Sequence, residues 1–198
     1  MRLAAISDIH GNSAALDAVL EDIANEGVDQ IVNLGDCFSG PLDAAGTAER
    51  LAALDLVTVG GNHDRLLIDR PKSAMGNWEA WVIDDLPEAT LTWCRTLPLS
   101  HQQDGVFLCH ATPTADDQNW LDYRGPGNRI MARDLVEVEK RAGNILADIM
   151  LCGHTHTPRS VRLPDGRRIV NVGSVGCPAY LDTRIQPNFI QQTGAPDA

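Results

Sequence analysis

Three apolar runs, separated by segments of helical period, constrain this chain more than any other feature. "RLAAIS" (2–7), "DQIVNLGD" (29–36) and "LVTVGGNHD" (56–64) read as strands, and the last two close on glycine and polar residues. Between them, "NSAALDAVLEDIANEG" (12–27) places Ala15, Leu16, Val19, Leu20 and Ile23 on one stripe. Asn12 or Ser13 can cap that helix and Gly27 can stop it. "PLDAAGTAERLAAL" (41–54) predicts a second helix. Strands that are apolar throughout, rather than alternating, are buried on both faces. In β-α-β-α-β order they specify parallel strands covered by helices.

The rest of the chain changes grammar. Residues 77–98 predict two short helices split at Pro87, and residues 131–143 predict another, ended by Gly143. "LSHQQ" and "GVFLCH" pair as a hairpin around Asp104-Gly105, "ADIMLCG" is a buried strand, and 159–174 is a hairpin with Asp165-Gly166 at its tip. Residues 111–130 read as a long loop. The fold class expected is α/β (α+β in some schemes): a four-layer α/β/β/α sandwich of two mixed β-sheets flanked by helices. At 198 residues one domain is expected, over 1–186, with 187–198 a poorly ordered tail.

Composition excludes several function classes. The net charge of −11 and pI of about 4.8 disfavour sequence-independent nucleic-acid binding, because an acidic surface repels phosphate backbones. The cysteine count, five, is odd, and no CxxC occurs, which argues against a disulfide framework or a cysteine zinc ribbon. A cytoplasmic location fits best. The first residues turn polar at Asp8, too soon for a signal peptide. No apolar run approaches the ~18 residues of a membrane span.

The polar residues collect at strand ends. The runs lead into Asp8-Ile9-His10, Gly35-Asp36, Gly61-Asn62-His63-Asp64, His110, and Gly153-His154-Thr155-His156; of six histidines only His101 lies elsewhere, as a polar strand residue. Ligand sites in open α/β sheets lie beyond the carboxyl ends of the strands. Carboxylates, an amide and imidazoles suit Mn²⁺, Fe, Zn²⁺, Co²⁺ or Ni²⁺. Asp8, His10, Asp36, Asn62, His110, His154 and His156 are too many donors for one tetrahedral ion and about enough for two ions sharing a carboxylate. Such pairs sit ~3.5–4 Å apart in two-metal hydrolases. In extended chain, residues i and i+2 point the same way ~6.6 Å apart. His154 and His156 would then straddle two ions, with Gly153 allowing a tight turn beside them. Asp36 is the candidate bridge.

D-x-H, G-D, G-N-H-D, a lone His and G-H-T-H, in that order from Asp8 to Ser174, resemble the calcineurin-like metallophosphoesterase superfamily. The short length and "NVGS" (171–174) are most similar to its small bacterial phosphodiesterase branch. The resemblance implies that Asp8, His10 and His156 hold one ion and Asn62, His110 and His154 the other, with Asp36 between and Mn²⁺ the foremost metal. A hydroxide held by both ions would attack phosphorus. Asn62 and His63 would contact the phosphate, and His63 would protonate the leaving oxygen. The substrate implied is a small or nucleotide-type phosphoester, a diester before a monoester. Alternatives are a dinucleoside-polyphosphate hydrolase and a non-catalytic scaffold of the same fold; an intact His63 favours an enzyme. One departure stands out. Protein phosphatases of the superfamily carry G-D-x-x-D-R-G, whereas Ser39 and Gly40 stand here, so the acid that orients His63 is missing and Asp64 is the adjacent one. Trp120, Tyr123 and Arg124, in the long loop after His110, are candidate substrate contacts: an aromatic to stack a base, an arginine to grip a second phosphate. Trp78, Trp81 and Trp93 read as packing residues, as do Cys109 and Cys152.

Overall fold

The computed structural model describes residues 1–182 and 188–193. Strand β1 (Leu3–Ile6) leads to helix α1 (Ser13–Glu26), which is capped by Asn12 Oδ1 accepting from the Ala15 amide at 3.1 Å and stopped by Gly27 at φ 62°. Strand β2 (Gln30–Asn33), helix α2 (Ala44–Ala52), capped by Asp43, and strand β3 (Val57–Thr58) complete the alternation. The strands pair in the order β1-β2-β3, all parallel.

The expected Gly-rich turn after β3 is brief, because Asn62–Asp69 forms helix α3, whose Asp64 side chain reaches back to the Gly61 amide at 3.0 Å. Two short helices follow, α4 (Asn77–Ala80) and α5 (Glu88–Cys94), on either side of Pro87. The second sheet is mixed. Its strands are β4 (Ser100–Gln103), β5 (Val106–Cys109), β8 (Ile149–Cys152), β9 (Arg159–Arg162) and β10 (Arg168–Asn171), in the order β4-β5-β8-β10-β9. The 111–130 loop is less irregular than its turn residues predict: β6 (Asp122–Arg124) pairs with β7 (Ile130–Ala132) before helix α6 (Leu135–Ala142). Of the span expected as a tail, 187–198, residues 188–193 are described. β12 (Phe189–Gln192) pairs antiparallel with β11 (Ala179–Asp182), with Phe189 and Gln191 buried. Residues 194–198 lie outside the described residues.

Strand alternation builds the layers. Leu3, Ala5, Val32, Leu34, Val106, Leu108, Leu151 and Val170 pack together between the two sheets. Their neighbours Ala4, Ile6 and Ile31 face the other way, onto Leu16, Ile23, Ala48 and Leu51 of α1 and α2. Phe107, Cys109, Met150, Cys152 and Ile169 face outward from the second sheet, onto Val138 and Ala142 of α6. The result is helix, sheet, sheet, helix. Backbone bonds lock the sheets together at one end: Val175 N–H donates to Ser7 O at 2.9 Å and Gly176 N–H to Asp8 O at 3.1 Å. That end carries the polar motifs.

Candidate metal centre and active site

The motif loops are bonded to one another, and this fixes unusual backbone. Asp8 N–H donates to Gly35 O, His10 N–H to Asp36 O and Gly11 N–H to Cys37 O, each at 2.9–3.0 Å. Asp8, His10, Asp36, His154 and His156 all have φ between 50° and 68°. The extended i, i+2 geometry expected from sequence is therefore wrong for both histidine-bearing loops. Left-handed backbone costs about 1–2 kcal/mol per non-glycine residue and persists only where surroundings over-determine it. Asp and His are among the types that tolerate it best. Gly153 serves differently from expectation too: its φ is not positive, and a Cβ there would overlap Ser7 Oγ and Asp8 Oδ2.

Two groups of donors converge, Asp8 with His10 and His156, and Asp36 with His110 and His154. Each carboxylate has one oxygen occupied and one turned inward. Asp8 Oδ2 accepts from Ser7 Oγ at 2.6 Å and from the His154 amide at 3.0 Å. Its Oδ1, fully buried, has no hydrogen-bond donor among the described residues and lies 3.2 Å from His156 Nε2 and 3.9 Å from His10 Nε2. Asp36 Oδ1 accepts the His63 amide at 2.8 Å, while its Oδ2 lies 3.2 Å from His110 Nε2 and 4.0 Å from His10 Nε2. Asp36 thus faces rings of both groups.

The imidazoles are oriented by carbonyls. His10 Nδ1–H donates to Ser39 O at 2.7 Å, His110 Nδ1–H to Leu34 O at 2.7 Å, and His156 Nδ1–H to Cys177 O at 2.5 Å. These bonds fix the tautomer and leave Nε2 as the ligand atom. His10 Nε2 and His156 Nε2 then face each other at 3.1 Å, lone pair to lone pair. Such a contact needs a cation or a proton between the rings, so the donor set fits a metal. Without an ion a proton takes that place. Burial lowers both groups, yet Asp8 holds His156 up at about 11 and Asp36 holds His110 up at about 10. His10 and His154, pushed down by burial to about 4, stay neutral. Asn62 joins the second group through Oδ1, 3.0 Å from His154 Nδ1. Turning the amide round would put its NH₂ toward these acceptors. An oxygen there, among ring nitrogens, is the orientation a cation favours.

Several residues that sequence reasoning passed over hold this frame. Asn171 donates to Gly153 O at 2.5 Å and Thr155 Oγ1 at 3.1 Å, and Ser174 Oγ donates to Asp8 O at 2.7 Å, so the NVGS stretch ties the first and last motifs together. Asp64 does not turn toward His63. Its carboxylate accepts the amides of Asp36, Cys37 and Gly61 at 2.8–3.0 Å, and burial with Asp36 nearby pushes it up to about 6. His63, one-quarter exposed, has Nδ1 bonded to the buried Glu79. Trp78 is no ordinary packing residue: its ring stacks on His63, centroids 5.6 Å apart, and meets His10 edge-on at 5.0 Å. Trp81 is 54% exposed, against expectation, whereas Trp93 packs on Phe38.

The three substrate candidates in the long loop separate. Trp120 is a core residue, 1% exposed, with Nε1–H donating to Val138 O; its role as a base-stacking contact is ruled out by burial. Tyr123 is exposed beside Arg133, and Arg124 lies 4.2 Å over the Phe189 ring and 3.9 Å from Asp182.

A family model described as the calcineurin-like phosphoesterase superfamily domain matches residues 1–186. The Methanocaldococcus jannaschii protein MJ0912 is 29% identical over 189 residues, spanning 91% of this chain and 70% of its own. The phosphodiesterase YfcE of Escherichia coli is 31% identical over 147 residues, 65% of this chain and 79% of its own. A metallophosphoesterase from Sphaerobacter thermophilus, of solved structure, aligns with a TM-score of 0.73 at 25% identity, covering 90% of this chain and 78% of that one.

Proposed function

This chain belongs to the calcineurin-like phosphoesterase superfamily, a family of phosphoric-ester hydrolases, and we propose that it hydrolyses phosphodiesters of small or nucleotide-type alcohols with two divalent ions, Mn²⁺ foremost. The observation that carries this reading is the pair of inward-turned carboxylate oxygens, Asp8 Oδ1 and Asp36 Oδ2, each 3.2 Å from an imidazole Nε2, of His156 and His110. Asp8, His10 and His156 would hold one ion, Asn62, His110 and His154 the other, and Asp36 Oδ2 would serve both. Bound ions would supply Lewis acidity, for a water nucleophile and for the charge that builds on the phosphoryl oxygens. The chain does the rest. The carbonyls of Ser39, Leu34 and Cys177 hold the rings, Asn62 orients the phosphate, and His63 protonates the leaving oxygen. Trp78 and Tyr180, the latter 5.4 Å from His156, form aromatic surface beside the cluster, which supports an aryl or nucleobase substituent. The relative YfcE is named a phosphodiesterase, which favours a diester over a monoester. Five free cysteines suit a reducing compartment such as the cytoplasm.

Metal analysis of the purified protein, followed by a phosphoester panel with Mn²⁺, Ni²⁺, Zn²⁺ and Mg²⁺ added in turn, tests the proposal. His63→Ala should keep its metal and lose ~10²–10⁴ in kcat. Loss of metal in that variant would make His63 a ligand and overturn its assigned role.

A further inference from the structure

The second motif of this chain lacks the acid that its relatives among the protein phosphatases place there, and the structure shows where another one comes from. Ser39 and Gly40 contribute no charge, and Gly40 has φ 152° with His10 O so close that any side chain would overlap it. The Gly40 amide donates to Trp78 O at 3.3 Å. That bond docks α4 against the motif loop and delivers two side chains to His63 from one short helix. Trp78 covers one face of the ring, 28° from parallel. Glu79, 3% exposed, takes Nδ1. The His63 backbone is fixed separately, by its amide on Asp36 Oδ1. Ring plane, tautomer and position are therefore each set by a different contact, and Nε2 is the one ring atom left to act.

We propose that Glu79 is the positioning residue for His63, standing in for the carboxylate absent at Ser39. The inference rests on the reading of His63 as the group that protonates the leaving oxygen. In that step the incoming water oxygen forms a bond to phosphorus and gives up one proton to solvent, while the phosphorus–leaving-oxygen bond breaks. Its electron pair stays on the leaving oxygen, which takes the proton from His63 Nε2 and departs as an alcohol. Glu79 keeps Nδ1–H engaged, so that the proton given up is always the one on Nε2, and solvent restores it. An orienting carboxylate of this type is a large lever because it holds the ring with Nε2, the proton-bearing nitrogen of the imidazolium, turned to the leaving oxygen.

A leaving-group series separates positioning from a merely structural part. The Mn²⁺-loaded wild type, Glu79→Gln, Glu79→Asp and His63→Ala are compared on methyl aryl phosphodiesters whose ring runs from p-nitro to unsubstituted. A good leaving group needs little protonation and a poor one needs much. Glu79→Gln should keep wild-type metal content and KM, lose ~10²-fold in kcat on the phenyl ester, and lose far less on the p-nitrophenyl ester. His63→Ala should show the same steepening, and adding Glu79→Gln to it should change nothing further. Glu79→Asp, which keeps the charge, should recover part of the phenyl rate; it also carries the comparison if the Gln variant does not fold. A uniform loss across the series in a folded, metal-replete Glu79 variant, with steepening intact in His63→Ala, overturns the proposal for Glu79 alone. An unchanged dependence in His63→Ala means that the reading of His63 itself fails.

Discussion

At the scale of single residues, the site is governed by which atoms are already spoken for. Asp8 and Asp36 each spend one oxygen on local donors and present the other to imidazole. Asp36→Asn keeps the shape but removes the charge that two adjacent cations would need between them, so turnover should vanish and metal content should fall, read by elemental analysis. The protonation of the rings gives a second test. At neutral pH, without an ion, His110 and His156 carry protons, since Asp36 and Asp8 hold them up at about 10 and 11. Metal must displace those protons. Binding should release about two protons per chain, and affinity should tighten as pH rises toward that range, measured by calorimetry in buffers of different ionisation enthalpy. Release of none would mean that the ions bind elsewhere.

At the scale of elements, the strand ends and loops act as one braced unit. Gly153 is a tight point, where the last motif touches Ser7 and Asp8. Gly153→Ala should lower both melting temperature and metal content, although alanine is otherwise the mildest replacement. The β11–β12 hairpin braces the same loop from outside: Gln191 Nε2 donates to Thr157 Oγ1 at 2.7 Å and Thr193 Oγ1 to His156 O at 2.7 Å. Gln191→Ala should therefore weaken metal binding, with the folded core intact by circular dichroism. The sequence announces the donors but not this bracing. That Asp8, Asp36, Asn62 and the four histidines gather in one place is legible, because acids and imidazoles in such numbers stand at strand ends that share one rim. Their left-handed backbone is not, because it follows from bonds between loops far apart in sequence. Glu79 is hidden for the same reason: only the docking of α4 onto Gly40 places it. Trp120 misleads because a tryptophan amid turn residues looks exposed, whereas β6–β7 turns it into the core.

At the scale of the whole molecule, the alternation of apolar strands accounts for the layers. The β-α-β-α-β start is legible because each strand is apolar on both sides, and the second sheet because its hairpins carry Asp-Gly tips. β12 is not, since "FIQQ" is half polar and takes its place by pairing with β11 and packing against segments far away in sequence. The layer between the sheets is the keel of the site, because both sheets deliver candidate ligands from the same end. Leu108, fully buried there, should cost about 2–5 kcal/mol when cut to alanine. His110 lies two residues on, so its ligand group should loosen as well, seen as weaker metal retention during denaturant titration.

We propose a pair of ions sharing Asp36. An anomalous-scattering map of Mn²⁺-loaded crystals tests it directly. Two peaks ~3.5–4 Å apart are expected, one against Asp8, His10 and His156, the other against Asn62, His110 and His154, with Asp36 Oδ2 between them. A single peak, or a pair with Asp36 turned away from both, would contradict it.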